Sequence, residues 1–200
     1  MAQPRKTVTS LRSVRPGRVL VHLDGEPWRT LPLEALVRAG IGVGAELDRQ
    51  RLRVLRRELR RLEALDVATA ALRSSDRSAA EITGRLAARG VAGGERERAL
   101  GTLERAGLVD DARLARSRAG VLAQLGAGNA LIRDDLERRG LGADEIAAAL
   151  AALDPEAERA ARLAAVRGPG VKTARYLVAR GFAEEAVEAV VADWPPGAIP

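Results

Sequence analysis

The apolar positions of this chain change period along its length, and the change divides it. From Thr7 to Val14 the pattern alternates, as in Thr7-Val8-Thr9-Ser10-Leu11, and Val19-Leu20-Val21-His22-Leu23 is equally strand-like. Period two marks a strand with one face buried. The second run ends at Asp24-Gly25, a strong two-residue hairpin turn because both central positions take positive φ readily. Trp28 to Leu31 predicts the returning strand. Pro27 confines it to a sheet edge, since proline cannot donate to the ladder. Leu33 to Ala39 predicts a short helix stopped by Gly40.

After Gly42 and Gly44 the period becomes helical. A long amphipathic helix is predicted from about Asp48 to Leu72, with leucines at 52, 55, 59 and 62 forming one narrow seam. Arg49, Arg51, Arg53, Arg56, Arg57, Arg60 and Arg61 occupy much of the rest, against one carboxylate, Glu58. Two readings stand: a solvated surface face, or a stripe that tracks phosphates or an acidic partner.

Beyond this helix the chain repeats. Ile82-Thr83-Gly84-Arg85-Leu86-Ala87-Ala88-Arg89-Gly90-Val91 aligns with the ten residues from Ile132 to Leu141 and the ten from Thr173 to Phe182. Each has Leu four residues before Gly, Arg just before it and an apolar residue just after; nine residues further lie Leu100, Leu150 and Val191. Gly90, Gly140 and Gly181 are 50 and 41 residues apart, within the range of helical repeats. The unit has a physical reading. A helix ends at Arg-Gly, Gly takes the left-handed conformation, and the next apolar residue folds back on the helix just left. The Arg sits at the negative end of the helix dipole. A second helix follows, at Gly94 to Ala106, Ala143 to Leu153 and Glu184 to Ala192. Another precedes, at about Asp66 to Arg73, Asp110 to Gln124 and Glu156 to Arg167. Gly107, Gly126-Ala127-Gly128 and Gly168-Pro169-Gly170 break the helices between.

The expected fold is therefore all-α: tandem three-helix repeats, with a small N-terminal extension containing a β-hairpin and a long basic helix. The expected divisions are 1–47 for the extension, 48–65 for the basic linker helix, 66–107, 108–154 and 155–194 for the modules, and 195–200 for a disordered tail.

Composition narrows the chemistry. The chain has 200 residues, 46% hydrophobic and 30% charged, with a formal net charge of +6. The charge is uneven: residues 1–61 carry +8 and residues 62–200 carry −2. Of the 33 basic residues 31 are arginine, a bias that discounts any single Arg as a signal. There is no cysteine and only His22, which excludes disulfides, thiol catalysis and His-rich metal sites. No apolar run approaches the roughly 20 residues of a membrane span. The start lacks an apolar signal region, so the expected location is the cytoplasm.

The motifs that could carry catalysis read better as structure. Asp110-Asp111 fits a helix N-cap with a second acid in the first turn. Asp134 and Asp135 stand four residues before Arg138 and Arg139, the spacing of helical ion pairs. Gly40-Ile41-Gly42-Val43-Gly44 follows a helix and has no Lys-Ser or Lys-Thr ending; Gly168 to Thr173 ends in Lys-Thr but has no preceding strand. His22, Tyr176 and Phe182 read as packing residues, and Trp194 as a cap over the last helix. No catalytic residue, cofactor or metal site is expected.

Three stretches carry a resemblance. Gly107-Leu108-Val109-Asp110-Asp111-Ala112-Arg113-Leu114-Ala115, Gly128 through Ile132-Arg133-Asp134-Asp135-Leu136 to Gly140-Leu141, and Val171-Lys172-Thr173-Ala174-Arg175-Tyr176-Leu177 to Arg180-Gly181-Phe182 together resemble the RecX regulatory proteins, in order and spacing. The resemblance spans about Ala64 to Asp193. It departs at Leu114, where an aromatic is expected, and at Asp135, where Glu is expected. The Asp24-Gly25-Glu26 turn and the Gly42-x-Gly44-x-Glu46-Leu47 step are similar to an extension found in some members.

The resemblance implies a monomeric regulator that catalyses nothing itself. It would bind the RecA recombinase and its filament on single-stranded DNA, and inhibit filament growth, ATP hydrolysis, strand exchange and co-protease activity, in recombination, repair and the SOS response. Its implied contact residues are Arg133, Arg138 and Arg139, with Lys172, Arg175 and Arg180. The stripe of Arg49, Arg53, Arg56, Arg57, Arg60 and Arg61 is a second candidate, toward DNA or the filament, and weak binding to single- or double-stranded DNA belongs to the same expectation. The alternative is a helix-turn-helix-like protein that binds DNA without RecA. Against it, Ala143 to Leu153 is nearly all Ala, Leu, Ile and acid, which cannot read base edges. A helical scaffold with no nucleic-acid link would leave the basic helix unexplained.

Overall fold

The structure, a computed structural model, describes residues 6–168 and 170–192, with the backbone alone at 191 and 192. The expectations for the tail at 195–200, for Trp194, for Pro169 and for the side chain of Val191 lie outside the described residues. The chain is mostly helical, with a small sheet at its N-terminal end. It divides into two compact units: residues up to 70 with 85–101, and residues 71–84 with 102 onward.

The first unit is built on four antiparallel strands, β1 (Lys6–Arg15), β2 (Arg18–Leu23), β3 (Glu26–Pro32) and β4 (Glu46–Leu47), in the order β3-β2-β1-β4. The predicted alternation holds in β2, where Val19, Val21 and Leu23 are buried while Arg18, Leu20 and His22 are half-exposed. At the Asp24-Gly25 turn both residues have positive φ, 52° and 91°, so β2 pairs tightly with β3. Pro27 lies, as its missing donor requires, on an edge strand. The short pairing of β4 with Lys6 and Thr7 was not expected from the sequence, because two residues are too few to show a period. Helix α1 (Leu33–Arg38) follows β3 directly. Helix α2 (Arg49–Leu72) begins where Asp48 Oδ1 accepts the Arg51 N–H at 2.7 Å, an N-cap. Its leucine seam closes the core: Leu55 is buried, and Leu52, Leu59 and Leu62 pack on the cluster of Val8, Val21, Leu31, Leu36 and Ile41.

The chain continues through α3 (Ala79–Ala88) and α4 (Gly93–Arg105), and the division between the units passes through both. The second unit holds α5 (Asp111–Gln124), α6 (Asn129–Arg138), α7 (Ala143–Ala151), α8 (Glu156–Arg167), α9 (Val171–Ala179) and α10 (Glu184–Ala192). One cluster, including Ala115, Ile132, Leu136 and Ile146, is shared by α5, α6 and α7. Another, including Ala160, Leu177, Phe182 and Val187, is shared by α8, α9 and α10.

Each of the three aligned glycines ends a helix in the left-handed conformation, with φ of 74° at Gly90, 74° at Gly140 and 79° at Gly181. The hydrogen bonds are the paired kind that satisfies helix-end carbonyls. At the second, Gly140 N–H donates to Glu137 O and Leu141 N–H to Leu136 O; at the third, Gly181 donates to Val178 O and Phe182 to Leu177 O. Leu141 and Phe182 are buried, so the residue after each of these two glycines folds back, while Val91 after Gly90 is half-buried. The same bond pair closes α1, α4 and α5 at Gly40, Gly107 and Gly126.

Candidate partner-binding surfaces

The seven arginines that start α2 separate into two sets. Three are held. Arg51 Nη1 donates to Glu46 O at 2.8 Å. Glu58 is buried, and its two carboxylate oxygens accept from Arg57 Nε at 3.3 Å and Arg61 Nε at 3.1 Å. Arg61 Nη2 also reaches Glu34 Oε1 at 2.7 Å. The other four, Arg49, Arg53, Arg56 and Arg60, are exposed and have no hydrogen bond or ion pair among the described residues. Their spacing of four, three and four places them in one row along the helix.

In the second unit the six candidates fare differently. Arg133, Lys172 and Arg175 are exposed and unpaired among the described residues. Lys172 and Arg175 stand on an exposed face of α9 with the apolar Val171 and Val178. Arg138 pairs with Asp134 at 2.8 Å as i,i+4 spacing predicts, both side chains well exposed. Arg139 is half-buried, 3.8 Å from Glu81. Arg180 serves the fold: its Nε donates to Gly126 O at 3.0 Å and its Nη2 to Leu125 O, satisfying carbonyls of the turn that closes α5.

The acidic candidates are caps. Asp110 accepts the Arg113 N–H at 2.8 Å and is the N-cap of α5. Asp111, in the first turn of α5, accepts the Ala79 N–H at 2.9 Å, at the start of α3. Burial raises its pKa, against the lowering effect of that hydrogen bond, and Glu145, Asp110 and Glu81 add to the rise. Ser78 and Glu81 form a reciprocal capping box there, Ser78 N–H to Glu81 Oε2 at 2.9 Å and Glu81 N–H to Ser78 Oγ at 3.0 Å. The Ser-x-x-Glu spacing is the local sequence signature of this box. Asp135 does not pair with Arg139. It takes two hydrogen bonds from Arg118 of α5, at 2.8 and 3.0 Å, which hold its carboxyl below the usual range. The i,i+4 expectation fails here because Asp135 is on the half-buried side of α6, where α5 offers the fork of a guanidinium.

The side chain that sequence reasoning missed is Arg159. It is buried, and its guanidinium meets three elements: Nε donates to Asp154 O at 3.1 Å, Nη1 to Ala127 O at 2.8 Å and Nη2 to Asn129 Oδ1. The ring of Phe182 lies 5.7 Å from it. Burial lowers its pKa, the direction expected for a cation taken from water. Nothing in an Ala-Glu-Arg-Ala stretch separates this arginine from the solvated ones. Phe182 is core, while Tyr176 is half-buried with the Arg167 guanidinium 3.7 Å above its ring. Thr173 is buried and donates to Gly168 O at 2.7 Å, so the Lys-Thr ending turns its hydroxyl inward. His22 is half-exposed on β2.

Among the described residues no group of three or more His, Cys, Asp or Glu could hold a metal ion, and no helix is long and apolar enough to cross a membrane. No protein-family model matches the chain, and no curated protein matches it. Solved structures do. A crystal structure of regulatory protein RecX superposes with a TM-score of 0.79 at 22% identity, over 94% of this chain and all of that one. RecX from Lactobacillus salivarius superposes with a TM-score of 0.58 at 16% identity, over 66% of this chain and 95% of that one. The sheet, the long helix and the glycine-closed helices after it are thus the fold of the RecX regulatory proteins.

Proposed function

We propose that this chain is a non-catalytic cytoplasmic regulator that acts as a monomer on a RecA-type recombinase. It binds the RecA filament on single-stranded DNA and inhibits its extension, and with it ATP hydrolysis, strand exchange and co-protease activity. The observation that carries the reading is the superposition on a RecX structure over 94% of the chain, together with the three sequence stretches that resemble that family. In this reading the helical part is three three-helix modules, 66–107, 108–154 and 155–194, following the extension at 1–47 and the linker helix at 48–65, with a tail at 195–200. Two separate hydrophobic clusters, one for α5 to α7 and one for α8 to α10, support the later two modules.

Arg133, Lys172 and Arg175 are the filament contacts best supported, because they are exposed and uncommitted. Arg138 and Arg139 are secondary contacts. Arg180 contributes by holding the end of α5 and not by touching a partner. Charged contacts of this kind steer association and make it salt-sensitive more than they add affinity.

The test is RecA-dependent ATP hydrolysis on single-stranded DNA with this protein added below stoichiometry. A fall to a low plateau well under one copy per RecA is the expected result. A fall only when the protein is abundant enough to coat the DNA would favour the second reading, a direct DNA binder, for which the free arginine row on α2 speaks.

A further inference from the structure

Among the described residues Arg159 is the one buried cation, 6% exposed, and no carboxylate accepts a hydrogen bond from it. Its acceptors are neutral: the backbone carbonyls of Asp154 and Ala127 and the amide oxygen of Asn129. A guanidinium has five N–H groups, so Nη1 and Nη2 each keep one without an acceptor among the described residues. Buried charges are as a rule paired with an opposite charge. Here burial disfavours the cation most, and the two acids that favour it, Glu156 and Asp154, are engaged elsewhere. Glu156 Oε1 accepts the Asn129 N–H at 2.6 Å, and Asp154 Oδ2 accepts from Arg162 Nη2 at 2.6 Å.

The same side chain lines an open cavity of about 460 Å³ between α5 and α8, within the second unit. That volume lies in the range of small-molecule sites. Gly120, Ala123, Leu153 and Leu163 supply apolar wall. Arg162 and Asp154 also line it, but they pair with each other, so the lining keeps the net charge of Arg159 alone. Gly120 stands in the middle of α5, where glycine weakens a helix, yet a Cβ there would meet nothing within 4 Å. Packing inside the protein does not require this glycine, and its missing side chain widens the cavity. We propose that the cavity binds a small organic monocarboxylate with an apolar body, the carboxylate on the free N–H groups of Arg159 and the body against Leu153 and Leu163. One uncompensated cation selects one anionic group, and a wall of Ala and Leu offers a second polar group little. The site goes beyond the regulator reading and does not rest on it.

The experiment is an amide NMR titration of the full chain with 4-phenylbutanoate, and with the isosteric neutral 4-phenylbutanamide. The amides of Gly120, Ala123 and Leu163 shift saturably with the acid, with a dissociation constant in the millimolar range or below. The neutral amide binds at least about tenfold more weakly, because it forfeits the charge-assisted hydrogen bonds. Gly120→Leu fills the open space over α5, melts no lower than wild type and loses the saturable shifts. Absence of saturable shifts at these amides in the unaltered chain overturns the proposal. So does equal binding of acid and amide, since the cavity is then merely apolar, or undiminished binding by a folded Gly120→Leu variant. Should that variant not fold, the comparison of acid and amide on the unaltered chain decides alone. The titration contains no recombinase and no DNA, so its failure and failure of the regulator reading are told apart.

Discussion

The backbone N–H of Gly128 donates to the carbonyl of Arg180 at 2.8 Å, which sets the N-terminus of α6 against the C-terminus of α9. Ala130 N–H donates to Gly181 O beside it, and Asn129 N–H to the Glu156 carboxylate at 2.6 Å. Amides at the start of α6 that its own helix cannot satisfy are thus met by other elements, and the positive end of one helix dipole faces the negative end of another. The approach leaves no room for a side chain: a Cβ on Gly128 would lie 2.2 Å from Gly181 O. Gly128→Ala is therefore expected to cost about 3 kcal/mol, the upper end for overpacking, because backbone and not a flexible side chain must move. Urea denaturation measures it; a loss below about 1 kcal/mol would show that the joint yields.

Arg159 should behave as a buried three-way tie. Replacing it by Met fills similar volume but strands the acceptors Ala127 O, Asp154 O and Asn129 Oδ1. Each stranded acceptor costs about 1–3 kcal/mol when buried, so a loss of at least about 2 kcal/mol is expected in the same assay. Arg159→Lys should recover only part of it, since one ammonium cannot reproduce the planar fork. Wild-type stability in the Met variant would disprove the role.

The Arg118–Asp135 pair should show itself in acid. Asp135's carboxyl is held low by the guanidinium, so its contribution is present above the usual carboxylate range and disappears as pH falls through the lowered value. Asp111 works oppositely: burial raises its pKa, so its ionisation opposes folding as pH climbs toward that raised value. With Arg118 partly exposed, screening limits the pair to about 1 kcal/mol. The stability difference between wild type and Asp135→Asn should be about that size near neutrality and vanish once pH has fallen below the lowered value of Asp135. A difference independent of pH would assign the effect to packing instead.

Contact and scaffold arginines can be told apart by one comparison. A triple variant of Arg133, Lys172 and Arg175 to Glu should melt like wild type and lose inhibition of RecA-dependent ATP hydrolysis by roughly tenfold or more, as reversed charges repel the partner they steered. Arg180→Ala should do the reverse, costing about 1–3 kcal/mol of stability through the freed carbonyls of the turn after α5. If the triple variant inhibits normally, these three side chains do not face the filament.

What the sequence revealed follows from the range of the forces involved. The Asp24-Gly25 turn, the edge position of Pro27, the leucine seam of α2 and the glycine closures at 90, 140 and 181 are local, set by residues within a few positions of each other. So is Asp110 as a cap. Asp111 is the first-turn acid that the sequence predicts, but its hydrogen bond to the start of α3, 32 residues away in sequence, carried no local signal. The spacing of Asp135 points to a partner one helical turn on, whereas its partner Arg118 lies 17 residues back. Arg180 matched a contact motif while its fork was committed to carbonyls 54 and 55 residues earlier. In a chain so rich in arginine, only the fold distinguishes a committed guanidinium from a free one.

The joint between α6 and α9 also bears on how such a protein can lengthen or shorten. In a solenoid whose units meet only through side chains, a terminal unit can be removed and its neighbour survives with a weakened interface. Here removal of the segment from α8 onward would leave the opening amides of α6 without acceptors and its N-terminus bare. Helices α5 to α10 should consequently unfold in a single transition, and internal duplication or loss of one helical triplet would have to recreate the same backbone exchange at the new boundary.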